Sequence, residues 1–402
     1  MKLLSLLPIL SQALVGNFLH ITDIHYDPNY KVGSPVHCLL GKIGLGCCRA
    51  YNIPVEPYER ANKWGNYHCD TSYNFVNRTL EWIRINIPKI DFIIYTGDTV
   101  GHHDITQSIN HNIKVINDIN GLFEYYFNDV EIYSSIGNHD TYPIDQTQKT
   151  ITKVFLKNFA KTWSGVNSTQ TISSGGYYWS KIGENMYIVN LNSLLYDKIN
   201  IFHLDERIQQ WVWFKNVLET IKNSGGRAWI VNHICPFSSE ARATYTKQFL
   251  SIVSDYTDII KYHFYGHVHQ DTFTLLSMNN EVVAFCSIPS SLMLDKHEAS
   301  FRIYKYDKTT FDILDYDHYV SNLETTVQND NINFYKSYSF NSEYNLKGVN
   351  QDNLIQLYNN MKINDTVFER FYKNYNPGLN DTNCSSSCKT DLLDDIFKNL
   401  NF

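Results

Sequence analysis

Five short clusters of histidine, aspartate and asparagine recur between residues 23 and 269, and each cluster follows a short apolar run. In chain order they are Asp-Ile-His at 23–25, Gly-Asp at 97–98, Gly-Asn-His-Asp at 137–140, Asn-His at 232–233 and Gly-His-Val-His at 266–269. Short apolar runs that end in such polar turns are typical of buried strands. In α/β folds, ligands bind just beyond the carboxyl ends of the strands. The pattern therefore predicts an α/β fold with a functional site along one sheet edge.

These clusters supply enough metal-ligand side chains for two neighbouring divalent ions. The predicted ligands are Asp23, His25, Asp98, Asn138, His233, His267 and His269. If the first segment stays extended, Asp23 and His25 point the same way and can hold one ion together. His267 and His269 repeat that arrangement. Asp98 follows a strand predicted to be buried, where an unpaired carboxylate is costly, so we expect two cations to share it.

Length and composition describe an ordinary globular protein. The 402 residues can bury a large core, either as one large α/β domain or as one domain with an appendage. The net charge of −7 argues against a nucleic-acid-binding surface, because no basic stripe is present to neutralise phosphates. No stretch reaches 18 uninterrupted apolar residues, so no transmembrane segment is expected.

The N-terminus has the features of a secretory signal peptide over residues 1–16. Lys2 precedes an apolar stretch at 3–10, and Ser11-Gln12-Ala13 fits a small-residue cleavage site. The alternative is a buried first strand. A signal peptide predicts a protein that is secreted or held in the lumen of an acidic vesicle or lysosome. Sequons predict glycosylation at Asn77, Asn167, Asn364 and Asn380.

The eight cysteines suit an oxidising compartment. Four lie between residues 38 and 69, within an irregular insert at 28–70, and two lie four residues apart near the C-terminus. Local groups of this kind usually form disulfides that stabilise loops with little core of their own. A zinc knot is the alternative, although the first group lacks a C-x-x-C pair.

Strands and helices are predicted to alternate along most of the chain. Predicted helices span 73–87, 108–127 and 205–222, and predicted strands span 18–21, 92–95, 130–136, 186–191, 228–231, 262–265, 281–285 and 301–306. Asn, Tyr, Lys and Asp dominate after about residue 325, and further helices are predicted at 353–361 and 366–372. We therefore expect a catalytic domain over 17–324 and a small helical subdomain over 325–402.

The ordered set D-x-H, GD, GNHD, H and GHxH resembles the signature of calcineurin-like metallophosphoesterases. Among these, residues 17–390 resemble the acid sphingomyelinase family, including its sphingomyelinase-like phosphodiesterases. The likeness extends to Cys47-Cys48-Arg49, to Trp-Gly-Asn-Tyr-His-Cys-Asp at 64–70, and to His102 four residues after Asp98. It also includes Gly-Gly-Tyr-Tyr at 175–178 and the C-terminal C-x-x-x-C.

The resemblance implies a four-layer α/β/β/α sandwich that binds two zinc ions, with manganese or iron as less favoured metals. One ion would be held by Asp23, His25, Asp98 and His269. The other would be held by Asp98, Asn138, His233 and His267. A hydroxide between the ions would attack phosphorus in line. His139 would contact the phosphate and protonate the leaving oxygen with His102 in support. Independently of the resemblance, Asp104 or Asp140 is a candidate to orient one of these imidazoles.

The resemblance also implies disulfides that pair Cys38 with Cys47, Cys48 with Cys69, and Cys384 with Cys388. Cys235 and Cys286 have no clear counterpart, so they are either free or paired with each other. Acid sphingomyelinase proper carries a saposin-like domain before its catalytic domain, and we expect none before Asp23. The branch without that domain implies soluble substrates such as nucleotides and choline-phosphate compounds. The Cys-Cys-Arg insert is closer to sphingomyelinase itself, so sphingomyelin hydrolysis is the alternative.

Two other classes fit less well. A purple acid phosphatase would need a tyrosine three residues after the aspartate of the GD motif, and Gly101 occupies that position. A binding protein on an inactive phosphoesterase scaffold would usually have lost ligands, whereas all seven are present. The sequence therefore predicts a monomeric, metal-dependent phosphodiester hydrolase that acts on a small molecule or a phosphocholine lipid.

Overall fold

The computed structural model describes residues 14–102, 104–147, 156–158, 169–200, 204–378 and 383–400. Its strands are β1 Val15–Ile21, β2 Phe92–Tyr95, β3 Glu131–Ser134, β4 Tyr178–Gly183, β5 Met186–Asn190, β6 Arg227–Val231, β7 Ile260–Phe264, β8 Thr272–Met278, β9 Glu281–Ile288, β10 Ser300–Asp307, β11 Ile313–Ser321, β12 Phe334–Ser339 and β13 Phe397–Leu400. Its α-helices are α1 Tyr73–Asn86, α2 Ile109–Phe127, α3 Thr169–Gly175, α4 Leu204–Asn223, α5 Ala243–Ser254, α6 Leu323–Asn329, α7 Phe340–Tyr344, α8 Gln351–Ile363, α9 Asp365–Tyr375 and α10 Ser386–Ile396.

The described strands form two sheets. One has six strands in the order β12-β11-β10-β1-β2-β3, and the other has seven in the order β13-β8-β9-β7-β6-β5-β4. Strands β1, β2 and β3 pair in parallel, as do β5, β6 and β7. The carboxyl ends of each parallel set therefore lie along one edge of its sheet, where the polar clusters begin.

The two sheets pack face to face on an aromatic core. Phe18 of β1 stacks on Phe92 and Tyr304 of its own sheet, with ring centroids 4.8 and 4.9 Å apart. The Trp229 ring of the opposite sheet lies 5.3 Å away. Successive residues of a strand face opposite sides, so Leu19 instead packs in the cluster shared with α1 and α2. Helices α4 and α5 cover the other sheet, and the predicted four-layer α/β/β/α sandwich is confirmed.

The helices follow the apolar spacing of the sequence. Helix α1 begins after Ser72, whose side chain accepts a hydrogen bond from the Phe75 amide and so caps the first turn. It buries Val76, Leu80 and Ile83 against β1 and β2. It ends at Asn86, shortly before Pro88, which disfavours helical geometry in the residue before it.

The region after residue 325 is largely helical, but it also adds a strand to each sheet. Strand β12 pairs with β11 at the edge of the first sheet, and β13 runs parallel to β8 at the edge of the second. Neither strand was predicted. Helices α7 to α10 share one apolar cluster with the inner faces of both sheets. The domain boundary at residues 324/325 remains a prediction.

The eight cysteines form four disulfides in the structure. The pairs are Cys38–Cys47, Cys48–Cys69, Cys235–Cys286 and Cys384–Cys388. The first two pairs lie in the 28–70 insert, so its cysteines do not form the alternative zinc knot. The third pair answers the question left open by the sequence, since it joins the loop after β6 to β9.

Some of the residues named in the sequence predictions lie outside the described ranges of the chain. Most of the predicted signal peptide, residues 1–13, lies outside the described residues, as do the sequons at Asn167 and Asn380. Asn364 is exposed at the start of α9, and half-buried Asn77 accepts a hydrogen bond from the Tyr126 hydroxyl. Among the described helices, none combines the length and the apolar character needed to cross a membrane.

Candidate metal centre

The seven predicted ligands converge at the carboxyl ends of five parallel strands. Asp23 follows β1, Asp98 follows β2 and Asn138 follows β3. The loop after β6 carries His233, and the loop after β7 carries His267 and His269. Both sheets therefore present their ligand-bearing loops at the same end of the sandwich.

The backbone at this site differs from the extended conformation expected for residues 23–25. Asp23 and His25 adopt φ values of 50° and 45°, so tight turns, not a strand, direct their side chains. Asp98, His267 and His269 also have positive φ, at 57°, 78° and 65°. Non-glycine residues rarely occupy this region, and such conformations concentrate at functional sites.

Four ligand atoms define the first half of the site. The Nε2 atoms of His25 and His269 lie 3.0 Å apart. Asp23 Oδ1 lies 3.8 Å from His25 Nε2 and 3.5 Å from His269 Nε2. Asp98 Oδ2 lies 3.5 Å from His25 Nε2. Ligands about 2.0–2.2 Å from a tetrahedral zinc ion are separated by roughly 3.4 Å, so this spacing fits one ion.

The second half of the site shares Asp98 with the first. Asp98 Oδ2 lies 3.3 Å from His233 Nε2, which is 2.9 Å from Asn138 Oδ1. Asn138 Oδ1 lies 3.1 Å from His267 Nδ1. The same carboxylate oxygen thus faces both groups of ligands, and the other oxygen, Oδ1, accepts a hydrogen bond from the His139 amide. This is the position that a bridging carboxylate would occupy.

The second nitrogen of each ligand histidine contacts an oxygen acceptor. His25 Nδ1 lies 3.0 Å from the Val100 carbonyl, and His233 Nδ1 lies 2.6 Å from the Thr96 carbonyl. Carbonyl oxygens only accept, so each Nδ1 carries a proton, and in the neutral ring each Nε2 has the lone pair that a cation would use. Metal-bound histidines are typically oriented in this way.

Two carboxylates contact the outer ring nitrogens of His269 and His267 in the same way. His269 Nδ1 lies 3.1 Å from Asp295 Oδ2, and His267 Nε2 lies 2.7 Å from Glu240 Oε2. In the neutral form of both rings the Nδ1 protons are donated elsewhere, so the facing Nε2 atoms of His25 and His269, 3.0 Å apart, would both offer lone pairs to a cation. Without a cation, burial of His269 is outweighed by Asp23 and Asp295, which raise its pKa to about 10. The residues present therefore fit a metal centre, and their mixed nitrogen and oxygen atoms suit zinc, manganese or iron.

Electrostatics keep the shared carboxylate ionised. Burial alone would raise the pKa of Asp98, but His233 and His139 lower it well below its usual range. The reciprocal effect appears at His233, where burial is outweighed by Asp98 and the pKa rises to about 9. A buried carboxylate that stays charged is a strong ligand for a cation.

Two further histidines, the predicted catalytic pair, lie beside the ligands. The His102 ring stacks on the His25 ring at 4.2 Å between centroids, and the His139 ring lies 4.6 Å from that of His102. Burial lowers the pKa of His139 to about 3, with only partial compensation from Asp98. The His102 side chain is 38% exposed, and although its surroundings partly desolvate it, Asp70 raises its pKa above the usual value. The pair thus has one neutral imidazole and one that favours the proton.

The carboxylate that orients His102 is Asp70, and not Asp104 or Asp140 as the sequence suggested. Asp70 Oδ1 lies 2.6 Å from His102 Nδ1, and Asp70 Oδ2 accepts the His102 amide at 2.9 Å. Asp104 instead accepts hydrogen bonds from Asn29 and Tyr51. Asp140 accepts backbone amides of the turns after β2 and β3, at residues 98, 99, 100 and 137.

Three of these supporting carboxylates were missed by sequence reasoning. Asp295 and Glu240 lie in loops without a recognisable motif, and only their distances to the ligand histidines identify them. Asp70 ends the Trp-Gly-Asn-Tyr-His-Cys-Asp segment that resembles the acid sphingomyelinase family. Its position in that segment is the one sequence feature that could have identified it as a functional residue.

A cavity of about 650 Å³ opens beside the metal centre. His102 and His139 line one end of it, and the loop at 235–240 forms a wall. The C-terminal region closes the far side with Tyr375, Leu392 and Ile396. The cleft therefore joins polar groups near the candidate ligands to a partly apolar wall.

Comparison with known families covers almost the whole chain. Residues 16–271 match the family described as calcineurin-like phosphoesterase, and residues 276–398 match the acid sphingomyelin phosphodiesterase C-terminal region. The first match spans all seven predicted ligands, and the second contains the strands and helices that close the cleft.

Curated relatives agree with these matches. Sphingomyelinase phosphodiesterase C of Dictyostelium discoideum is 31% identical over 367 residues, which cover 83% of this chain and 80% of the relative. Sphingomyelin phosphodiesterase A of the same organism is 27% identical, and the match covers 95% of this chain but only 66% of that relative. Cyclic GMP-AMP phosphodiesterase SMPDL3A of Homo sapiens is 26% identical over 93% of this chain and 86% of the relative.

The family matches and the full-length relatives point to the same class, and the predictions of a metallophosphoesterase fold and of a phosphodiesterase-type hydrolase are confirmed. This chain belongs to the calcineurin-like phosphoesterases, in the group that carries the C-terminal region of acid sphingomyelin phosphodiesterases.

Proposed function

We propose that this protein is a two-zinc phosphodiesterase that hydrolyses phosphodiester or phosphoanhydride bonds of nucleotides and choline-phosphate compounds. The observation that carries the proposal is the position of Asp98 Oδ2, 3.5 Å from His25 Nε2 and 3.3 Å from His233 Nε2. An oxygen shared by two ligand groups supports a pair of adjacent ions. When bound, such a pair supplies an activated water and neutralises the charge of the phosphate oxygens.

The ligands divide between the two ions as the family resemblance implies. Asp23, His25 and His269 would hold one zinc with Asp98, whereas Asn138, His233 and His267 would hold the other with the same carboxylate. Asp295 and Glu240 would fix the rings of the two histidines in the last cluster, because they receive the ring protons of those histidines.

We assign protonation of the leaving oxygen to His139, with His102 in support. His139 would contact the phosphate and donate the proton, and His102 would support it from 4.6 Å away. The pKa of His139, lowered by burial to about 3, would rise beside a bound phosphate anion. Asp70 keeps His102 oriented and favours its protonated form, so His102 can supply positive charge while His139 acts.

The cleft supports a second candidate, sphingomyelin hydrolysis to ceramide and phosphocholine. Its wall at Phe237, Ile288, Leu392 and Ile396 is apolar, and two of the similar relatives carry sphingomyelin phosphodiesterase or sphingomyelinase in their names. An apolar wall next to the polar centre would accommodate a lipid substituent as well as a nucleoside.

Product analysis separates the two candidates. Purified protein would be incubated with ATP, CDP-choline and detergent-dispersed sphingomyelin at pH 5 and pH 7, with and without a chelator. Chelator-sensitive cleavage of the nucleotide compounds alone supports the first candidate, and release of phosphocholine from sphingomyelin supports the second. Cleavage that persists after complete metal removal contradicts both.

Two variants test the roles of the catalytic pair. His139→Ala should retain two ions per chain and lose at least about 100-fold in turnover, the usual scale for a general acid. His102→Ala should lose less. A larger loss in His102→Ala would exchange the two roles, and metal loss in His139→Ala would mean that His139 is a ligand.

The predicted signal peptide and the four disulfides support a proposal about the compartment. We propose that the protein is secreted or resides in the lumen of an acidic vesicle or lysosome, and that it acts as a monomer with glycans at its sequons. Redox-inert zinc suits an oxidising compartment better than iron. Metal analysis of protein purified from the secreted fraction tests the compartment and the metal together.

A further inference from the structure

The disulfide-bonded insert holds apolar side chains in solvent. Leu39 is 50% exposed, Ile43 is 73% exposed and Ile53 is 62% exposed. The short 3-10 helix Leu40–Ile43 contains no buried residue. Helices in folded proteins normally bury an apolar face, so this one lacks the packing that its leucine and isoleucine would ordinarily make. We call Leu39, Leu40, Ile43 and Ile53 the insert tip.

Backbone pairing brings these side chains together. The Leu39 amide donates to the Ile53 carbonyl at 2.9 Å, and Cys38 pairs with Pro54 in an antiparallel bridge. This hydrogen bond places Leu39 beside Ile53, at the point where the backbone of Leu39 (φ −60°, ψ −39°) turns into the 3-10 helix. Leu40 and Ile43 are three residues apart in a 3-10 helix and so also share one side. The tip is therefore a patch, and not a set of scattered side chains.

The insert is braced so that the tip cannot fold inward. The Cys38–Cys47 disulfide spans the 3-10 helix, and Cys48–Cys69 ties the following residues to the end of the insert. Next to Cys48, buried Arg49 contacts Asp27 at 2.7 Å and Asp70 at 3.3 Å. Exposure of the tip is thus a property of the fold, since these links fix the segment on both sides.

The charge around the tip differs from that of the rest of the chain. No aspartate or glutamate occurs between Asp27 and Glu56, although the chain has 41 acidic residues and a net charge of −7. Lys31 and Lys42 lie within this segment and are exposed. Partly exposed His37 lies 3.8 Å from Glu59 Oε2 on the paired segment, where Glu56 is also exposed. Apolar side chains flanked by basic residues are typical of segments that settle at the boundary of lipid headgroups and acyl chains. Anionic headgroups add attraction to the lysines.

The tip belongs to a segment that also contacts the catalytic cleft. The Tyr51 hydroxyl donates to Asp104 at 2.7 Å, and Arg49 contacts the same Asp70 that orients His102. His102 lines the cavity. A surface bound at the tip would therefore lie near the His102 side of the cleft.

We propose that the insert tip docks the enzyme on a lipid surface, so that its phosphodiester substrates include lipids presented in a membrane. The apolar patch would enter the boundary region of the leaflet, and Lys31 and Lys42 would contact anionic headgroups. The claim about substrates rests on the proposed function, whereas docking itself does not require catalysis.

Vesicle co-sedimentation of the full chain tests the docking directly. The probes are vesicles of phosphatidylcholine alone and of phosphatidylcholine mixed with phosphatidylserine. The test variant is Leu39→Gln/Ile43→Gln, and the control is Ile85→Gln/Ile363→Gln, which changes two side chains that are 74% and 85% exposed elsewhere. Each buried methylene is worth about fourfold in partitioning, so the test variant should bind mixed vesicles at least about tenfold more weakly. The control variant should bind like the parent.

Several results would overturn docking through this patch. One is that the parent does not sediment with mixed vesicles. Another is that the test variant binds mixed vesicles like the parent, or that the control variant loses as much vesicle binding as the test variant. Light scattering addresses the other occupant of an apolar patch, a second copy of the chain. A parent dimer that the test variant converts to a monomer, without vesicle binding by the parent, would assign the patch to self-association instead.

Turnover on two substrates separates this inference from the proposed function. The test variant should hydrolyse a soluble phosphodiester such as bis(p-nitrophenyl) phosphate at the parental rate, but should show a raised KM for sphingomyelin in vesicles. A parent that binds vesicles but hydrolyses neither substrate would contradict the proposed function while leaving the docking surface intact. Equal KM values on vesicles for parent and test variant would overturn the link between docking and substrate.

Discussion

Replacing Arg302 with methionine should destabilise the protein by about 3–5 kcal/mol, because a buried aspartate would lose its ionic partner. Arg302 Nε and Nη2 both lie 2.7 Å from Asp271 Oδ1. Each side chain is only 2% exposed, and the Arg302 guanidinium lies 4.3 Å from the centroid of the Tyr316 ring. Asp271 is two residues beyond His269 in the chain.

The magnitude depends on burial and on the unpaired charge that remains. In Arg302→Met, Asp271 keeps its hydrogen bond from Tyr338 and lies 3.7 Å from His318 Nε2. Burial lowers the pKa of His318 to about 4, so that ring is neutral at pH 7 and does not replace the lost cation. Arg84 and Asp129 form a contrasting pair on the surface, with side chains 43% and 57% exposed. Exposed pairs contribute about 0–1 kcal/mol, so Arg84→Met should change stability by less than about 1 kcal/mol. The same substitution is therefore compared in two environments.

Urea unfolding followed by tryptophan fluorescence measures both effects. If the free energy of unfolding of Arg302→Met lies within about 0.5 kcal/mol of that of Arg84→Met, the reasoning from the buried charge is wrong. The double variant Asp271→Leu/Arg302→Met adds a second check. It removes both charges and should recover part of the loss, as replacement of whole buried ion pairs by apolar groups often does.

Three further predictions concern the metal centre and the core. Asp98→Asn should lose both metal and activity, and a variant that keeps two ions and normal turnover would contradict the bridging role. Glu240→Ala should weaken metal binding by about 10- to 100-fold, as measured by competition with a chelator, because His267 Nε2 loses its carboxylate partner. His263 is buried and burial lowers its pKa to about 3, whereas the unfolded residue titrates near 6.5, so acidification to pH 5 protonates only the unfolded chain. Between pH 7.5 and pH 5, this residue should therefore lower the free energy of unfolding by about 2 kcal/mol. Urea unfolding at the two pH values should show a correspondingly smaller decrease for His263→Phe.

Much of the architecture was accessible from the sequence because local signals coincide with the fold. Buried parallel strands read as continuous apolar runs, and this pattern predicts β2 and β6 to within one residue. The sequence does not predict strands β12 and β13, which lie at sheet edges: β12 buries two of its six residues, and the residues of β13 are all half-buried. Their pairing depends on partners far away in sequence, which no local pattern records.

The supporting shell of the site could not be predicted for the same reason. A ligand histidine is recognisable by its motif, but Asp295 and Glu240 meet their histidines only after distant loops come together. The extended geometry expected at residues 23–25 also failed, because positive φ values are imposed by the surrounding loops and not by aspartate or histidine themselves. Tertiary structure, not sequence spacing, sets the direction of these ligands.

Those strained residues are held by hydrogen bonds between the loops that carry them. The Asp23 amide donates to the Gly97 carbonyl and the His25 amide to the Asp98 carbonyl, each at 3.0 Å. The His269 carbonyl accepts from Ser291 at 2.9 Å, and the Asp23 carbonyl accepts from Met293 at 3.1 Å. Because each left-handed residue costs about 1–3 kcal/mol, such a site persists only where neighbouring segments stabilise it. The ligand loops of the two sheets thus depend on one another, and a change that loosens one loop should disturb ligands contributed by the other.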